Sequence, residues 1–267
     1  MTSWQDRARS FGGAADEYDR MRPGYPPELV DDVVRFASNG AAETLEVGAG
    51  TGKATLAFAD RGIVVTAVEP DAAMAAVLTS RLAGRPNVTV VVSTFEEYVP
   101  HKQVDLLVSA QAWHWTDPAS RWQRAAAAVS DGGALALCWN RDHVADPSVA
   151  GLMGSALATY APQIGVDESI DEASLTMSWP WGDLDSRPEF TDLNVLTYRR
   201  EWSISSADYV SNLSTHSAYR VLDPLVRERL FSDFRMHLPD RIDLQVATVL
   251  YLARRTRSGP QVAIERP

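Results

Sequence analysis

A run of glycines directly after an apolar segment constrains this chain more than any other feature of its sequence. Gly48, Gly50 and Gly52 alternate within the stretch that begins at Leu45. Because glycine lacks a Cβ, such a run lets the backbone turn sharply and lets a ligand approach it closely. Glu69 follows Gly52 by seventeen residues, at the tip of the next predicted strand. A carboxylate there can accept hydrogen bonds from a ribose diol, so the pattern predicts an α/β fold that binds an adenosine ligand.

The spacing of the run distinguishes between adenosine ligands. A dinucleotide fingerprint would place its third glycine where Lys53 stands. A phosphate-binding P-loop would need a glycine at Val47 and a hydroxyl residue at Ala54, so that interpretation fails at two positions. A glycine-rich turn in some other α/β protein is the plain structural alternative.

Predicted strands and helices alternate through the first half of the chain. The strands are expected at 44–47, 63–68, 88–92, 104–109 and 134–139. This alternation implies a doubly wound, mostly parallel sheet with helices on both faces. The second half is expected to hold strands at 196–202 and 242–253 and helices at 147–160, 206–215 and 223–237.

The string Glu46-x-Gly48-x-Gly50-x-Gly52, followed by Glu69, resembles motif I and the acidic ribose loop of class I S-adenosylmethionine (SAM)-dependent methyltransferases. The resemblance implies a Rossmann-like seven-stranded sheet whose last strand inserts antiparallel between the fifth and sixth. It also implies SAM as cofactor, S-adenosylhomocysteine as product, and Glu69 as the ribose ligand. The cofactor-binding residues implied are Tyr18, Arg22, Glu46, Gly48, Ala49, Gly50, Gly52, Glu69, Pro70, Met74, Thr94, Phe95, Ala110 and Gln111.

Two of the implied cofactor contacts have other interpretations. Thr94 and Phe95 are expected to flank the adenine edge, where many members of the family carry an acidic residue. An ordinary turn with a core aromatic is an equal alternative for this pair. Ala110 and Gln111 follow the fourth strand and are expected beside the sulfonium.

The segment from Ser10 to Pro26 is similar to the N-terminal lid of small-molecule methyltransferases of the trans-aconitate methyltransferase-like group. Tyr18 and Arg22 are four residues apart and would share one helical face. The tyrosine ring could cover the cofactor, and the arginine could bind the methionine carboxylate. An amphipathic cap that only packs on the core is the alternative.

His114 follows the fourth strand, where the acceptor should meet the methyl group. It could act as a general base toward a hydroxyl or amine, or only position a carboxylate acceptor, or be a structural hydrogen-bond partner. With an unperturbed histidine pKa, a base would give activity that rises near pH ~6.5. The residues expected to contact the acceptor are Tyr25, Trp115, Arg141, His216 and Tyr219.

Composition limits the functional classes. The net charge of −10 and the absence of a basic run argue against a nucleic-acid partner. The single Cys138 and the unpaired spacing of the five histidines give no support for a metal site. No apolar run reaches membrane-spanning length and no signal-like segment opens the chain, so we expect a cytoplasmic protein without a membrane partner. The oligomeric state is not readable from the sequence.

We therefore expect a single class I methyltransferase domain over 1–267 that methylates a small-molecule acceptor. Its expected parts are a lid (1–25), a SAM-binding core (26–140), an acceptor-side region with the last two strands (141–254) and a tail (255–267). The transfer would be to oxygen, with a carboxylate or an amine also open. The alternatives are a methyltransferase of protein or RNA, a non-catalytic SAM-binding protein, and a nicotinamide oxidoreductase, against which the glycine spacing argues.

Overall fold

The computed structural model describes residues 23–37, 41–165 and 179–257. The described strands are β1 Glu43–Val47, β2 Val64–Glu69, β3 Val88–Val92, β4 Val104–Ala110, β5 Val129–Val144, β6 Phe190–Ser205 and β7 Arg241–Arg255. The described helices are α1 Pro27–Phe36, α2 Lys53–Ala59, α3 Ala72–Ser80, α4 Arg121–Ala128, α5 Pro147–Tyr160, α6 Trp181–Asp185, α7 Ser206–Ser214, α8 Ser217–Arg220 and α9 Pro224–His237. A 3-10 turn, Trp113–Trp115, follows β4.

The strands form one seven-stranded sheet in the order β3-β2-β1-β4-β5-β7-β6. The pairs from β3 to β5 are parallel, and β7 runs antiparallel between β5 and β6. The strand order reverses between β1 and β4, so the carboxyl ends of these two strands border the crevice where open α/β sheets bind ligands. The expected doubly wound sheet, including the antiparallel insertion of the last strand, is confirmed.

Local signals in the sequence determine where several helices begin. Pro27 occupies the first turn of α1, where its missing N–H costs nothing. The Asp71 carboxylate accepts hydrogen bonds from the backbone N–H groups of Ala73 and Met74 and so caps α3. Asp223 caps α9 in the same way. These side chains explain where the three helices begin.

Helices cover both faces of the sheet with apolar side chains. On one face, α4 packs Trp122 and Ala125 against Leu107 and Leu137 of the strands. On the other face, α1 and α2 bury Leu29, Val33 and Phe58 over the same strands. At about 25 cal/mol per Å², burial of such side chains contributes roughly 1.5–3 kcal/mol each.

The last three strands are much longer than the others and build a second layer. β5 and β6 each span 16 residues, and β7 spans 15. From Asn140 to Val144, β5 continues past its parallel neighbour β4 and pairs with β7 alone. Helices α5, α7 and α9 pack on this extension around Met153, Leu213 and Phe234. The extension therefore carries a helical wall above the carboxyl edge of the parallel sheet.

The structure differs from the sequence prediction in several details. Strand β5 begins at Val129, five residues before the expected start, and passes through Gly132 with a φ of +78°. Helices α6 and α8 are not among the helices expected from the sequence. The lid residues 1–22 and the tail residues 258–267 lie outside the described residues. No helix in the described ranges is long and apolar enough to cross a membrane.

Candidate cofactor and acceptor site

The glycine run forms a tight turn between β1 and α2. Gly48, Gly50 and Gly52 have φ values of +73°, +57° and +90°, a region that favours glycine. The N–H groups of Gly48 and Ala49 donate to the carbonyl of Val68, at 2.8 and 3.2 Å. This pair of bonds holds the turn against the carboxyl end of β2.

The three glycines have different surroundings. A Cβ on Gly48 would lie 2.2 Å from the Cβ of Ala112, and one on Gly52 would lie 2.2 Å from Cδ1 of Leu78. A Cβ on Gly50 would meet no atom within 4 Å. Gly48 is therefore required by packing and a Cβ on Gly52 would displace the Leu78 side chain, whereas Gly50 borders open space at the strand ends.

Alanine substitutions should distinguish the strain of a left-handed backbone from the additional steric clash of a new Cβ. Gly50→Ala should lower the free energy of unfolding by about 1–2 kcal/mol, because only the left-handed backbone is strained. Gly48→Ala should cost about 2–5 kcal/mol, because the new Cβ must also displace Ala112. Urea unfolding measures both values. Equal losses in the two variants would contradict the packing difference.

Glu69 joins the glycine turn to the end of β2. The side chain is only 5% exposed. One carboxylate oxygen accepts a hydrogen bond from the Gly50 N–H at 2.8 Å, and the other accepts one from the Asp71 N–H at 2.9 Å. Burial raises the pKa of Glu69 to about 7, although these two backbone bonds act to lower it. Each oxygen keeps a further lone pair for a ligand hydroxyl.

Pro70 and Met74 follow Glu69 at the start of α3. Pro70 lies between Glu69 and Asp71 in the sequence, and the Glu69 carboxylate accepts a hydrogen bond from the Asp71 N–H across it. Met74 is buried, and its backbone N–H donates to the Asp71 carboxylate at 3.1 Å. The helix cap thus fixes the backbone on the C-terminal side of Glu69.

Glu46 is a second buried carboxylate, on β1 below the glycine turn. It is 1% exposed and accepts a hydrogen bond from the Thr55 hydroxyl at 2.5 Å. Burial raises the pKa of Glu46 to about 8, the Thr55 bond acts to lower it, and the charge of Glu69 raises it further. At neutral pH the protonated form of Glu46 is therefore favoured.

This raised pKa gives stability a definite pH dependence. In the unfolded chain Glu46 releases its proton near the ordinary glutamate pKa of 4.5, but in the folded protein it keeps the proton up to about 8. Glu46 therefore stabilises the folded state most below pH 4.5, and this stabilisation is lost as the pH rises to about 8.

Glu46→Gln should remove this contribution while it retains an acceptor for Thr55. We expect the melting temperature of the wild type to fall more steeply between pH 4.5 and about 8 than that of Glu46→Gln. Circular dichroism melts at a series of pH values make the comparison. Parallel curves for the two proteins would show that Glu46 does not titrate in this range.

The turn after β3 lies next to Glu69. The N–H of Ser93 donates to the Glu69 carbonyl at 3.2 Å, which places Thr94 and Phe95 beside the crevice. The Thr94 hydroxyl accepts from the Glu97 N–H and donates to the Glu97 carboxylate. The Phe95 ring is buried against Trp113, with centroids 5.7 Å apart. In the described residues both side chains thus serve the turn and the core, and their adenine contacts remain a prediction.

Gln111 marks the end of β4 with an unusual backbone. Its φ is +61°, a left-handed conformation that is strained for a residue with a side chain. Its N–H donates to the carbonyl of Cys138 at 2.9 Å, and its side-chain amide donates to the carbonyl of Asn140 at 3.1 Å. These bonds turn the chain away from β4 directly after Ala110. Gln111 therefore lies between the glycine turn and the extension of β5.

A cavity of about 1040 Å³ opens beside Gln111. Its walls are the 3-10 turn, the β5 extension and helices α5, α7 and α8. Four of the five residues expected to contact an acceptor line it, namely Trp115, Arg141, His216 and Tyr219. Such a volume suits a drug-sized organic molecule.

Tyr25 does not line this cavity. It packs, partly buried, against the core cluster on the α1 side of the sheet. The adjoining carbonyl of Pro23 accepts a hydrogen bond from the Asn140 side chain at 3.1 Å, and that of Gly24 accepts one from Arg200 at 2.6 Å. The chain is thus anchored beside the cavity at Pro23. Tyr18 and Arg22 lie outside the described residues, so the lid stays a prediction.

His114 also lines the cavity. Its ring is open to the cavity on one side, and the rings of Trp115 and Trp179 lie 4.6 and 6.5 Å from it, centroid to centroid. Nδ1 accepts a hydrogen bond from the indole N–H of Trp139 at 3.3 Å. His114 is exposed on its cavity side, and desolvation of the rest of the ring, with a further contribution from the charge of Arg121, lowers its pKa to about 4. An activity that rises near pH ~6.5 is the mark of the general-base role and stays a prediction.

The hydrogen bond from Trp139 also decides which nitrogen of His114 can donate. Because Nδ1 accepts, the neutral ring carries its proton on Nε2. A neutral imidazole in this tautomer presents a donor to a partner at Nε2. This geometry fits the positioning role better than the general-base role.

Sequence reasoning missed several residues that form the cavity. Trp139 and Trp179 line it, and Asn140 joins it to Pro23. The tryptophan-rich string around Trp179 was visible in the sequence, but nothing in it indicated that the ring would pack 5.4 Å from Trp139. Among the described residues, no group of three or more histidine, cysteine or acidic side chains is placed to hold a metal ion.

Solved structures share this architecture. A candidate type II methyltransferase of Anaeromyxobacter dehalogenans superposes with a TM-score of 0.57, at 24% identity, over 88% of this chain and 97% of its own. A phosphoethanolamine N-methyltransferase of Haemonchus contortus, solved with phosphomonomethylethanolamine and S-adenosylhomocysteine, gives 0.54 at 16% identity, over 96% of this chain and 61% of its own. The sheet order and these neighbours define the fold as that of the class I methyltransferases.

The sequence comparison agrees with the fold. Residues 45–137 match the family model described as a methyltransferase domain. An uncharacterised methyltransferase of Mycobacterium tuberculosis is 41% identical over 139 residues, which are 52% of this chain and 55% of the relative. The chain thus spans about half the length of the curated relatives it matches.

Residues 45–137 are thus similar to a methyltransferase domain, and these matches confirm the resemblance to SAM-dependent methyltransferases. The matches do not identify the narrower trans-aconitate methyltransferase-like group, so membership in that group stays a prediction.

Proposed function

We propose that this protein is a SAM-dependent methyltransferase that methylates a small-molecule acceptor held in the cavity beside His114. The observation that carries the proposal is the Glu69 carboxylate, which is tied to the Gly50 N–H at the switch point of the sheet. Open space adjoins Gly50, and the cavity begins at Gln111 on the other side of the crevice.

The buried carboxylates suit the two ends of SAM. Glu69 offers one free lone pair on each oxygen to a ribose diol, whose hydroxyl protons favour the ionised form. The glycine turn and the region of Glu46 are assigned to the amino-acid end. Tyr18 and Arg22 are proposed to complete the site from the N-terminal segment.

SAM, when bound, supplies a methyl group on a sulfonium that a nucleophile can displace in line. The chain then needs mainly to align the acceptor and to exclude water. Good alignment alone can contribute about 7–11 kcal/mol to lowering the barrier. Gln111, fixed by its bonds to Cys138 and Asn140, borders both the cofactor crevice and the acceptor cavity and is the proposed junction between them.

We assign the acceptor atom to an oxygen that is already ionised in solution, such as a carboxylate. The reason is the state of His114, whose Nε2–H can donate a hydrogen bond to such an oxygen. The same neutral ring has its Nδ1 engaged by Trp139, which leaves no free lone pair to remove a proton. His114 thus positions the acceptor, and Trp115, Arg141, His216 and Tyr219 form the rest of the acceptor surface.

A feature of the sequence or of the cavity argues against each of the other functions considered. A nicotinamide oxidoreductase conflicts with the glycine spacing. An RNA substrate conflicts with the net charge of −10. A protein substrate would need an open groove, whereas the helical wall encloses the cavity on several sides. A non-catalytic SAM-binding protein would have no need of an acceptor cavity next to the crevice.

A transfer assay with labelled SAM tests the proposal. The protein is incubated with panels of small carboxylic acids, phenols and amines, and products are identified by mass spectrometry. We expect methyl esters from one subset of the acids. Methylation only of phenols or amines would overturn the assignment of the acceptor atom, and the absence of SAM binding by calorimetry would overturn the function itself.

A further inference from the structure

Arg121 is a buried cation behind the wall of the acceptor cavity. It belongs to α4, is 6% exposed, and does not line the cavity. Its Nη1 donates to the carbonyl of Trp113 at 3.3 Å, in the 3-10 turn that carries His114. Its Nε has no hydrogen-bond partner among the described residues. A buried guanidinium with so few bonds is costly, which points to a role beyond the packing of α4.

The guanidinium also packs on Trp179. Its central carbon lies 5.0 Å from the ring centroid, within cation–π range. The indole N–H of Trp179 donates to the carboxylate of Asp183 at 3.0 Å. The Trp179 ring then presents its edge or face to His114 and Trp139, at 6.5 and 5.4 Å between centroids. One arginine therefore contacts both the turn that bears His114 and the ring that encloses it.

We propose that Arg121 is a positioning residue: it holds the Trp113–Trp115 turn and Trp179 in place, and its positive charge opposes protonation of His114. His114 then remains a neutral donor at Nε2 over the pH range in which the enzyme works. The role of His114 toward an acceptor rests on the proposed function. The effect of Arg121 on His114 does not, because it can be measured without any substrate.

The surrounding charges are consistent with this assignment. Arg121 is faced by Asp117 on the preceding turn, by Asp183 on α6 and by Arg187 after α6. The Coulombic effect of Arg121 contributes to the lowered pKa of His114, second to burial. The other titratable residues that line the cavity are Arg141, Asp142, His143, Tyr209, His216 and Tyr219.

The test is an NMR titration of the His114 imidazole, with its signal assigned through His114→Gln. In the wild type the signal should not move between about pH 5 and 8. In Arg121→Met, which keeps an aliphatic chain of similar length, the pKa of His114 should rise by about one unit, so that the signal begins to move at the acidic end. If Arg121→Met does not fold, Arg121→Gln supplies the neutral variant.

Two further variants separate charge from packing. Arg121→Lys keeps the charge, so the His114 signal should not move between about pH 5 and 8 in this variant. Arg124→Met is the matched control: it lies on the same helix, and its guanidinium bonds the carbonyls of Phe95 and Tyr98 instead. This variant should also leave the signal unchanged.

Two outcomes would overturn the proposal. One is a His114 signal in Arg121→Met or Arg121→Gln that matches the wild type throughout. The other is an equal rise in Arg121→Lys and Arg121→Met, because loss of packing rather than of charge would then explain it. Failure of the proposed function would appear separately, as absent SAM binding by the wild type.

Discussion

Replacement of Glu69 by alanine is expected to weaken the binding of SAM and of S-adenosylhomocysteine by about 1–3 kcal/mol. This corresponds to roughly 5- to 150-fold in the dissociation constant. The ribose hydroxyls lose a charged acceptor, and the N–H groups of Gly50 and Asp71 lose their partner as well. Isothermal titration calorimetry measures the loss. Wild-type affinity in the alanine variant, or tighter binding of NAD than of SAM by the wild type, would contradict the assignment of Glu69.

The raised pKa of Glu69 adds a pH dependence to the same prediction. In the free protein the carboxyl loses its proton near pH 7, and a ribose diol that donates to it binds best to the ionised form. The affinity for S-adenosylhomocysteine should therefore rise as the pH increases through about 7. Glu69→Gln is the matched control, because it keeps the shape and one acceptor oxygen but cannot titrate. Its affinity should be lower and flat across that range.

Replacement of His114 by alanine is expected to weaken acceptor binding by about 10- to 150-fold, the equivalent of one hydrogen bond to a charged group. The loss should appear in KM for the acceptor more than in kcat, because the neutral ring donates from Nε2 and moves no proton. Steady-state kinetics with the acceptor identified in the transfer assay measure both constants.

Trp139→Phe provides a matched comparison for His114. It retains an aromatic ring but removes the indole N–H that fixes the tautomer of His114. We expect a smaller rise in KM than for His114→Ala, because the imidazole remains and only its orientation is released.

The pH–rate profile distinguishes the positioning role from the general-base role. With a pKa of about 4, His114 should give no inflection near neutral pH in the wild type. An inflection near pH ~6.5 that disappears in His114→Ala, together with a loss of about 10²–10⁴ in kcat, would instead identify His114 as a base. Unchanged kinetics in His114→Ala would assign the residue to the cavity wall alone.

The sequence by itself determined the features that depend on neighbours along the chain. The β-branched run before Glu69, the glycines of the turn, and caps such as Asp71 each act within one or two turns of backbone. They predicted the strands β1 to β4 and the helix α5 at its observed bounds, whereas the insertion of β7 was implied by the resemblance to class I methyltransferases. The link between the glycine turn and Glu69 was also predictable, because parallel strands bring their carboxyl ends to one edge of the sheet.

Only the tertiary structure decided the properties that depend on burial and on residues distant in sequence. Tyr25 packs on the α1 side and away from the cavity because its neighbours Pro23 and Gly24 are bound by Asn140 and Arg200. Desolvation and, second, the charge of Arg121 lower the pKa of His114, and the rings of Trp139 and Trp179 beside it come from distant parts of the chain. The pKa of a side chain follows the dielectric and the charges around it, and the order of residues along the chain does not specify these until the chain has folded.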